Sequence, residues 1–120
     1  MGYTNYWTQH DDISRHDWIQ IQREVEYLRE YIGDGCIEVF KNDPEMINFN
    51  GRGDNAHEHF CIRRKRWFSS AKKKANKSHS DNDGFNFCKT NRKPYDLAVW
   101  HMLTFMSHLL GKDFEISRDR

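Results

Sequence analysis

The sequence predicts an α+β fold, a largely antiparallel sheet of four to five strands with two helices on one of its faces. Two observations favour this class. Several short segments alternate apolar and polar residues, as half-buried strands do, and two longer segments carry apolar residues at helical spacing. Their order along the chain is strand, helix, three strands, helix and strand, which resembles a decorated ferredoxin-like arrangement.

The N-terminal part predicts one strand and one helix. Residues 2 to 8 are aromatic and prone to form a strand. A helix follows Ser14, whose spacing to Asp17 resembles a capping box, and ends at the glycines of 33 to 35. Its apolar residues recur at steps of three and four and form one buried face: Trp18, Ile21, Val25, Leu28 and Ile32.

Short strands and a second helix make up the rest of the chain. Residues 36 to 41 form either a short strand or an edge segment, and further strands are predicted at 46 to 50, 56 to 64, 85 to 90 and 114 to 118. The second helix runs from 94 to 110 and has a proline in its first turn. Because this helix is apolar on nearly all sides, we expect it to pack against the first helix, with homo-oligomerisation through it as the alternative.

Length, composition and cysteine usage place limits on the class of protein. With 120 residues, the chain fits a single domain, 1 to 120, with a basic mobile loop at about 66 to 84. Three cysteines without a CxxC pair favour a reducing compartment over a disulfide framework. Neither a signal peptide nor a bilayer-spanning segment is readable, so we expect a cytoplasmic protein with no membrane partner.

Charge is segregated along the chain although the net charge is only +1. Residues 1 to 58 carry twelve acidic and five basic side chains, whereas residues 59 to 93 carry two acidic and eleven basic ones. The middle third is therefore the segment expected to meet anionic partners, unless the acidic first helix neutralises it.

Strand alternation predicts a charged pair at the edge of the core. In the strand 56 to 64, alternation places Glu58 on the same face as two apolar residues, while in the strand 85 to 90 it places Lys89 on the face of Phe85 and Phe87. We expect both phenylalanines in the core and Cys88 on the opposite face as a packing residue. If the two strands pair antiparallel, Glu58 and Lys89 meet at one rim.

The corner between the last of these strands and the second helix predicts an anion site. Thr90, Arg92 and Lys93 lead into a helix N-terminus, where free N–H groups and partial positive charge suit phosphate or carboxylate. An arginine there can hold an anion in bidentate fashion. Asp96 either competes for the same donors, binds a ribose hydroxyl or acts as a base, and Tyr95 either stacks on a base or packs.

Two alternatives to this site remain open. A nucleic-acid or host-protein binder would use the basic, aromatic-interleaved stretch 63 to 77, in which phosphates would meet the charges and bases the rings. Its residues are Arg63, Arg64, Lys65, Arg66, Trp67, Lys72, Lys73, Lys74 and Lys77. A small hydrolase acting on a nucleotide would use Glu58 or Asp96 as general base.

No metal or cofactor is predicted. His57, His59 and Cys61 share one strand face, but HEHFC is not the HExxH pattern and the sequence offers no obvious second pair of ligands. Histidines on a solvent-facing strand surface are the simpler interpretation.

Four short motifs of the chain occur together. They are MGYTNYW at 1 to 7, FNG at 49 to 51, HEHF at 57 to 60 and FCKTNRKPYD at 87 to 96. The set resembles a family of small uncharacterised bacteriophage and bacterial proteins. The resemblance implies a phage context, the host cytoplasm, and a role in modulating host defence or metabolism, but it implies no chemistry. The chain departs from the pattern at Asn5, where histidine is usual, and at 117 to 119, where SRD replaces SSDG.

The resemblance retains polar residues that apolar packing does not require, and a shared pocket is the simplest reason for them. We therefore predict a small anionic, nucleotide-like ligand and a binding protein more than an enzyme. The predicted ligand-binding residues are Tyr6, Asn50, Glu58, Lys89, Thr90, Arg92, Lys93, Tyr95 and Asp96.

Overall fold

A computed structural model describes residues 3–32, 37–41, 43–65 and 84–119. Within them the chain is α+β, as predicted, and every strand pairing is antiparallel. The elements are β1 Thr4–Gln9, α1 Arg15–Ile32, β2 Glu38–Val39, β3 Met46–Asn50, β4 Phe60–Arg63, β5 Phe85–Lys89, α2 Asp96–Leu110 and β6 Phe114–Arg118. Almost all of the loop predicted at 66 to 84 lies outside the described residues, as does the predicted glycine stop of α1.

Two three-stranded sheets replace the single sheet of four to five strands, so that part of the prediction is wrong. One sheet has the order β5-β1-β6 and the other β2-β3-β4. The reason lies before β4, which begins at Phe60 and not at residue 56. Residues 56–59 leave the sheet direction, and the only backbone bond between them and β5 runs from the Glu58 N–H to the Lys89 carbonyl, at 3.2 Å. The ferredoxin-like detail is therefore not confirmed.

Both helices bury the faces that their sequences predict. Ser14 Oγ accepts the Asp17 N–H at 3.1 Å, which caps the start of α1. Its apolar stripe is buried at Trp18, Ile21, Val25 and Leu28. The two helices pack together, and α2 buries Ala98, Val99, Met102, Leu103 and Met106. No described helix has both the length and the apolar character that crossing a membrane requires.

The inner and outer faces of β5 are the reverse of the prediction. Phe85 and Phe87 are 37% and 45% exposed, whereas Cys88 is fully buried. Opposite residues of paired strands share a face, and Cys88 lies opposite the buried Asn5. Alternation states which residues share a face, but it does not state which face meets the core. Here Trp7 decides it, because its ring packs inward against Phe60 at 5.2 Å.

Candidate functional site

A tight turn connects β5 to α2 and places Arg92 at the surface. Lys93 N–H donates to the Thr90 carbonyl at 3.0 Å, and both intervening residues have positive φ, 54° at Asn91 and 57° at Arg92. These values define a type I′ turn, which favours Asn followed by Gly. Asn91 fits the preference. Arg92 stands where glycine would be favoured.

The guanidinium of Arg92 lies over an aromatic ring and has no acidic partner within the described part of the chain. Its Cζ is 4.4 Å from the centroid of Tyr3, and the residue is exposed. Stacking uses the face of the guanidinium and leaves its edge N–H groups free to bind an anion. Lys93, the next residue, makes no ion pair with any described side chain either.

Behind this turn, Asp96 is the centre of a buried hydrogen-bond network. Its Oδ1 accepts from Asn5 Nδ2 at 2.8 Å and from Thr90 Oγ1 at 2.6 Å. Its Oδ2 accepts from Nη2 of Arg118. Arg118 also lies over two rings, 4.9 Å from the centroid of Tyr3 and 4.5 Å from that of Trp100. Arg118 therefore neutralises the carboxylate that lines this corner, Asp96.

An open cleft of about 450 Å³ lies between these groups. It is lined by Tyr3, Arg92, Lys93, Pro94, Asp96, Leu97 and Arg118. Three cationic side chains and one carboxylate give the lining an excess of positive charge. The volume lies within the range of about 300–1,000 Å³ that is usual for small-molecule sites.

The helix N-terminus itself offers fewer donors than the sequence predicts. The N–H groups of Asp96 and Leu97 already donate to the carbonyls of Lys93, at 2.9 Å, and Pro94, at 3.3 Å. An anion in the cleft would therefore depend mainly on the side chains of Arg92 and its neighbours.

Glu58 and Lys89 lie together, as predicted, but their contact differs from the predicted ion pair. Glu58 Oε1 accepts the backbone N–H of Lys89 at 2.8 Å. The ammonium of Lys89 instead lies 5.9 Å from the centroid of the Phe87 ring. This carboxylate thus ties the loop before β4 to the edge of β5.

Asn50 and Tyr95 hold this loop in place. The Asn50 side chain donates to the carbonyl of His57 at 3.1 Å and accepts the N–H groups of Gly51, at 2.7 Å, and His57, at 3.0 Å. Tyr95 is fully buried, and its hydroxyl donates to the Glu58 carbonyl at 2.6 Å. Burial raises the pKa of this phenol, which therefore acts as a neutral donor.

Tyr6 lies on the outer face of its sheet, away from the cleft. Its hydroxyl donates to Asp119 Oδ1 at 3.1 Å, and its ring stacks with that of Phe85 at 6.2 Å. The nine predicted residues thus divide into three groups. Arg92, Lys93, Thr90 and Asp96 form or support the cleft, Asn50, Glu58 and Tyr95 hold the loop, and Tyr6 and Lys89 face outward.

The basic stretch 63 to 77 is described only at its beginning. Arg63 is exposed. Arg64 is half-buried and structural, because Nε donates to Glu45 at 2.7 Å and Nη1 to the Ile13 carbonyl at 2.9 Å. Lys65 lies 3.7 Å from Asp12. The remaining residues of this alternative lie outside the described segments, and nucleic-acid binding stays a prediction.

The histidines of HEHF contribute no metal site in the described residues. His57 is exposed, and His59 Nδ1 lies 2.8 Å from Asn48 Oδ1. No three His, Cys, Asp or Glu side chains of these segments are placed to hold a metal ion.

A second cavity, of about 310 Å³, lies between α1 and the β2–β3 pair. Its lining is mainly apolar, and the charged groups Lys41 and Glu26 are already paired at 2.8 Å. Hydrogen bonding from Lys41 and Arg29 holds the pKa of Glu26 below its usual value. This cavity has no unpaired cations comparable to those of the cleft.

Sequence reasoning missed five residues of the cleft and its network: Tyr3, Asn5, Pro94, Leu97 and Arg118. Tyr3 and Pro94 lie within two of the quoted motifs, and two others mark departures from the pattern. Asn5 and Arg118 fall at the two places where the chain departs from the pattern it resembles, and both contact the Asp96 carboxylate. Leu97 carries neither signal.

Comparison with known proteins gives no match to a family model, to a curated protein or to a solved structure. The phage-type resemblance, and the context and location that it implies, therefore stay predictions.

Proposed function

We propose that this protein binds a small anionic, nucleotide-like ligand in the cleft beside Tyr3 and Arg92. The anionic group would lie against Arg92 and Lys93, and the apolar walls formed by Pro94 and Leu97 would contact the rest of the ligand. This site lies at the strand-to-helix corner that the sequence predicts. The ligand would be bound by side chains there, and not by the backbone N–H groups of the helix N-terminus.

The observation that carries the proposal is the backbone conformation of Arg92. A non-glycine residue in the left-handed region costs roughly 1–2 kcal/mol, and the second central position of a type I′ turn is the one at which glycine would remove that cost. Arginine is nevertheless present, exposed, and without an acidic partner in the described chain. Backbone strain of this kind clusters at ligand sites.

The cleft also fits the chemistry of a phosphate or carboxylate. A guanidinium pre-stacked on an aromatic ring is oriented before the ligand arrives, which lowers the entropy lost on binding. Lys93 adds a point charge beside it. Arg118 prevents Asp96 from presenting an uncompensated negative charge to the incoming anion.

The geometry offers less support for hydrolysis. Glu58 accepts the Lys89 N–H, and Asp96 accepts from three donors, so each carboxylate would have to give up an existing bond or use a remaining lone pair to act as general base.

Isothermal titration calorimetry against a panel of nucleotides, sugar phosphates and inorganic phosphate tests the proposal. We expect at least one probe to bind the wild-type protein and to bind Arg92→Gly at least tenfold more weakly, since a charge-assisted hydrogen bond contributes about 1.5–3 kcal/mol. Arg23→Ala is the matched control, because it removes one exposed arginine from the surface of α1 and leaves the cleft intact.

Three results would count against this assignment. They are the absence of binding by every probe, equal loss of affinity in Arg92→Gly and Arg23→Ala, and binding that survives Arg92→Gly. If the chain instead binds single-stranded nucleic acid with a steep dependence on salt, the alternative through residues 63 to 77 is favoured.

A further inference from the structure

We infer that the ligand of the cleft also carries a hydroxyl group, which it donates to Asp96. This inference rests on the proposed function and names its ligand class more closely, as a phosphorylated sugar, either free or within a ribonucleotide. A simple anion such as inorganic phosphate would satisfy only part of the site.

Asp96 accepts fewer hydrogen bonds from the described residues than a carboxylate can. An ionised carboxylate has about four acceptor positions, two on each oxygen. Oδ1 uses both of its positions, with Asn5 and Thr90, whereas Oδ2 receives only Arg118. One acceptor position on Oδ2 is therefore free of described donors, and Asp96 lines the cleft.

The free acceptor position on Oδ2 suits a neutral donor better than an anionic or an apolar group. A second anionic oxygen would be repelled by the carboxylate, and an apolar group would leave the acceptor desolvated and unpaired. A neutral hydroxyl donates a charge-assisted hydrogen bond instead. The side chain of Asp96 is only 12% exposed, so this acceptor is largely shielded from bulk water.

The cationic side chains and the Asp96 carboxylate line the same cleft. Arg92 and Lys93 would bind an anionic group, and Asp96, which lines the same cleft, would accept a hydrogen bond from a hydroxyl. A phosphorylated sugar carries both on one small molecule. Leu97 is 74% exposed beside them and offers an apolar surface that a nucleobase would cover.

Calorimetry with two matched pairs of probes tests the inference. The first pair is adenosine monophosphate and its 2′,3′-dideoxy analogue. The second is ribose 5-phosphate and tetrahydrofurfuryl phosphate, which keeps the ring and the phosphate but has no free hydroxyl. In at least one of the two pairs, we expect the hydroxyl-bearing probe to bind at least tenfold more tightly than its analogue. This factor is what the loss of one hydrogen bond to a charged group predicts. The comparison between pairs shows whether the base contributes.

A second measurement follows the site by NMR in the protein without any substitution. The side-chain amide of Asn5 donates to the same carboxylate, so its NH₂ resonances report on new hydrogen bonds at Asp96. We expect the hydroxyl-bearing member of the binding pair to shift them more than its matched analogue does, whereas equal shifts would count against the inference.

The outcomes separate this inference from the function on which it rests. Equal affinity within both pairs, with binding still lost in Arg92→Gly, overturns the hydroxyl inference and leaves the anion site in place. Absence of binding by all four probes and by phosphate overturns both.

Discussion

Arg92 provides the sharpest test, because its backbone and its side chain have separable consequences. The perturbation is a pair of substitutions, Arg92→Gly and Arg92→Ala. Both remove the guanidinium, but only glycine relieves a φ of 57°. The two variants therefore share any loss of binding and differ in the free energy of unfolding.

The stability of each variant relative to wild type follows from three contributions, of which the last two differ between alanine and glycine. Loss of the stacking on Tyr3, 4.4 Å from the ring centroid, removes about 0.5–1 kcal/mol from both variants, which is typical of an exposed cation–π contact. Alanine keeps the left-handed strain, whereas glycine regains roughly 1–2 kcal/mol. Glycine loses about 0.5–1 kcal/mol of that gain to its larger entropy in the unfolded chain.

We therefore expect Arg92→Ala to be less stable than wild type by about 0.5–1 kcal/mol, and Arg92→Gly to lie close to wild type. Urea unfolding followed by circular dichroism gives both free energies, provided that the slopes with urea agree. Titration of the same samples with the ligand should show that both variants bind at least tenfold more weakly.

Two results would refute this reasoning. If Arg92→Ala is as stable as Arg92→Gly or more so, the residue does not occupy the left-handed region in solution. If Arg92→Gly loses 2 kcal/mol or more, the arginine has a structural role larger than its stacking on Tyr3, and its conformation no longer indicates a ligand.

Three further predictions concern the surroundings of the cleft. Gly51→Ala should lower the free energy of unfolding by about 2 kcal/mol or more, measured in urea, because an added Cβ would lie 2.1 Å from the carbonyl oxygen of Asn55. Asp96→Ala should cost about 3–5 kcal/mol in the same assay, since it leaves Arg118 without its buried partner. Cys88 should resist alkylation in the folded protein at pH 8, as peptide mass mapping would show, because burial raises the pKa of its thiol to about 12.

The thiol also makes stability depend on pH. Its ordinary pKa is 9.0, and between that value and about 12 the unfolded chain releases a proton that the folded chain keeps. The free energy of unfolding therefore decreases as pH rises through this window, by up to about 1.4 kcal/mol per pH unit. In Cys88→Ala, the free energy of unfolding should depend less steeply on pH in the same window. Rapid alkylation of Cys88 in the folded protein would contradict the prediction for its thiol. An unchanged slope of the free energy of unfolding with pH in Cys88→Ala would contradict the predicted pH dependence. For Gly51→Ala or Asp96→Ala, the contradicting result is a decrease in the free energy of unfolding below 0.5 kcal/mol.

Local structure was predictable where the sequence repeats a period. The buried stripe of α1 and its Ser14 cap follow from spacing and capping, which depend on neighbours in the chain. The second helix was also predictable, but it begins at Asp96, two residues after the predicted start at Pro94. The strands that share a sheet could not be predicted, because β5 pairs with β1, far away in sequence, and not with β4. The orientation of β5 could not be predicted either, since alternation is equally consistent with Phe85 facing the core or the solvent.

The same division holds for the cleft. By itself, the sequence determined that a cationic corner precedes a helix, and it singled out Arg92, Lys93 and Asp96, because charge and helix-start signals are local. Only the tertiary structure decided what that charge faces. It brings Tyr3 and Arg118, from opposite ends of the chain, around Asp96, and it leaves Arg92 stacked but without an acid in the described residues. Contacts between the chain ends depend on strand pairing, which no local pattern in this sequence encodes.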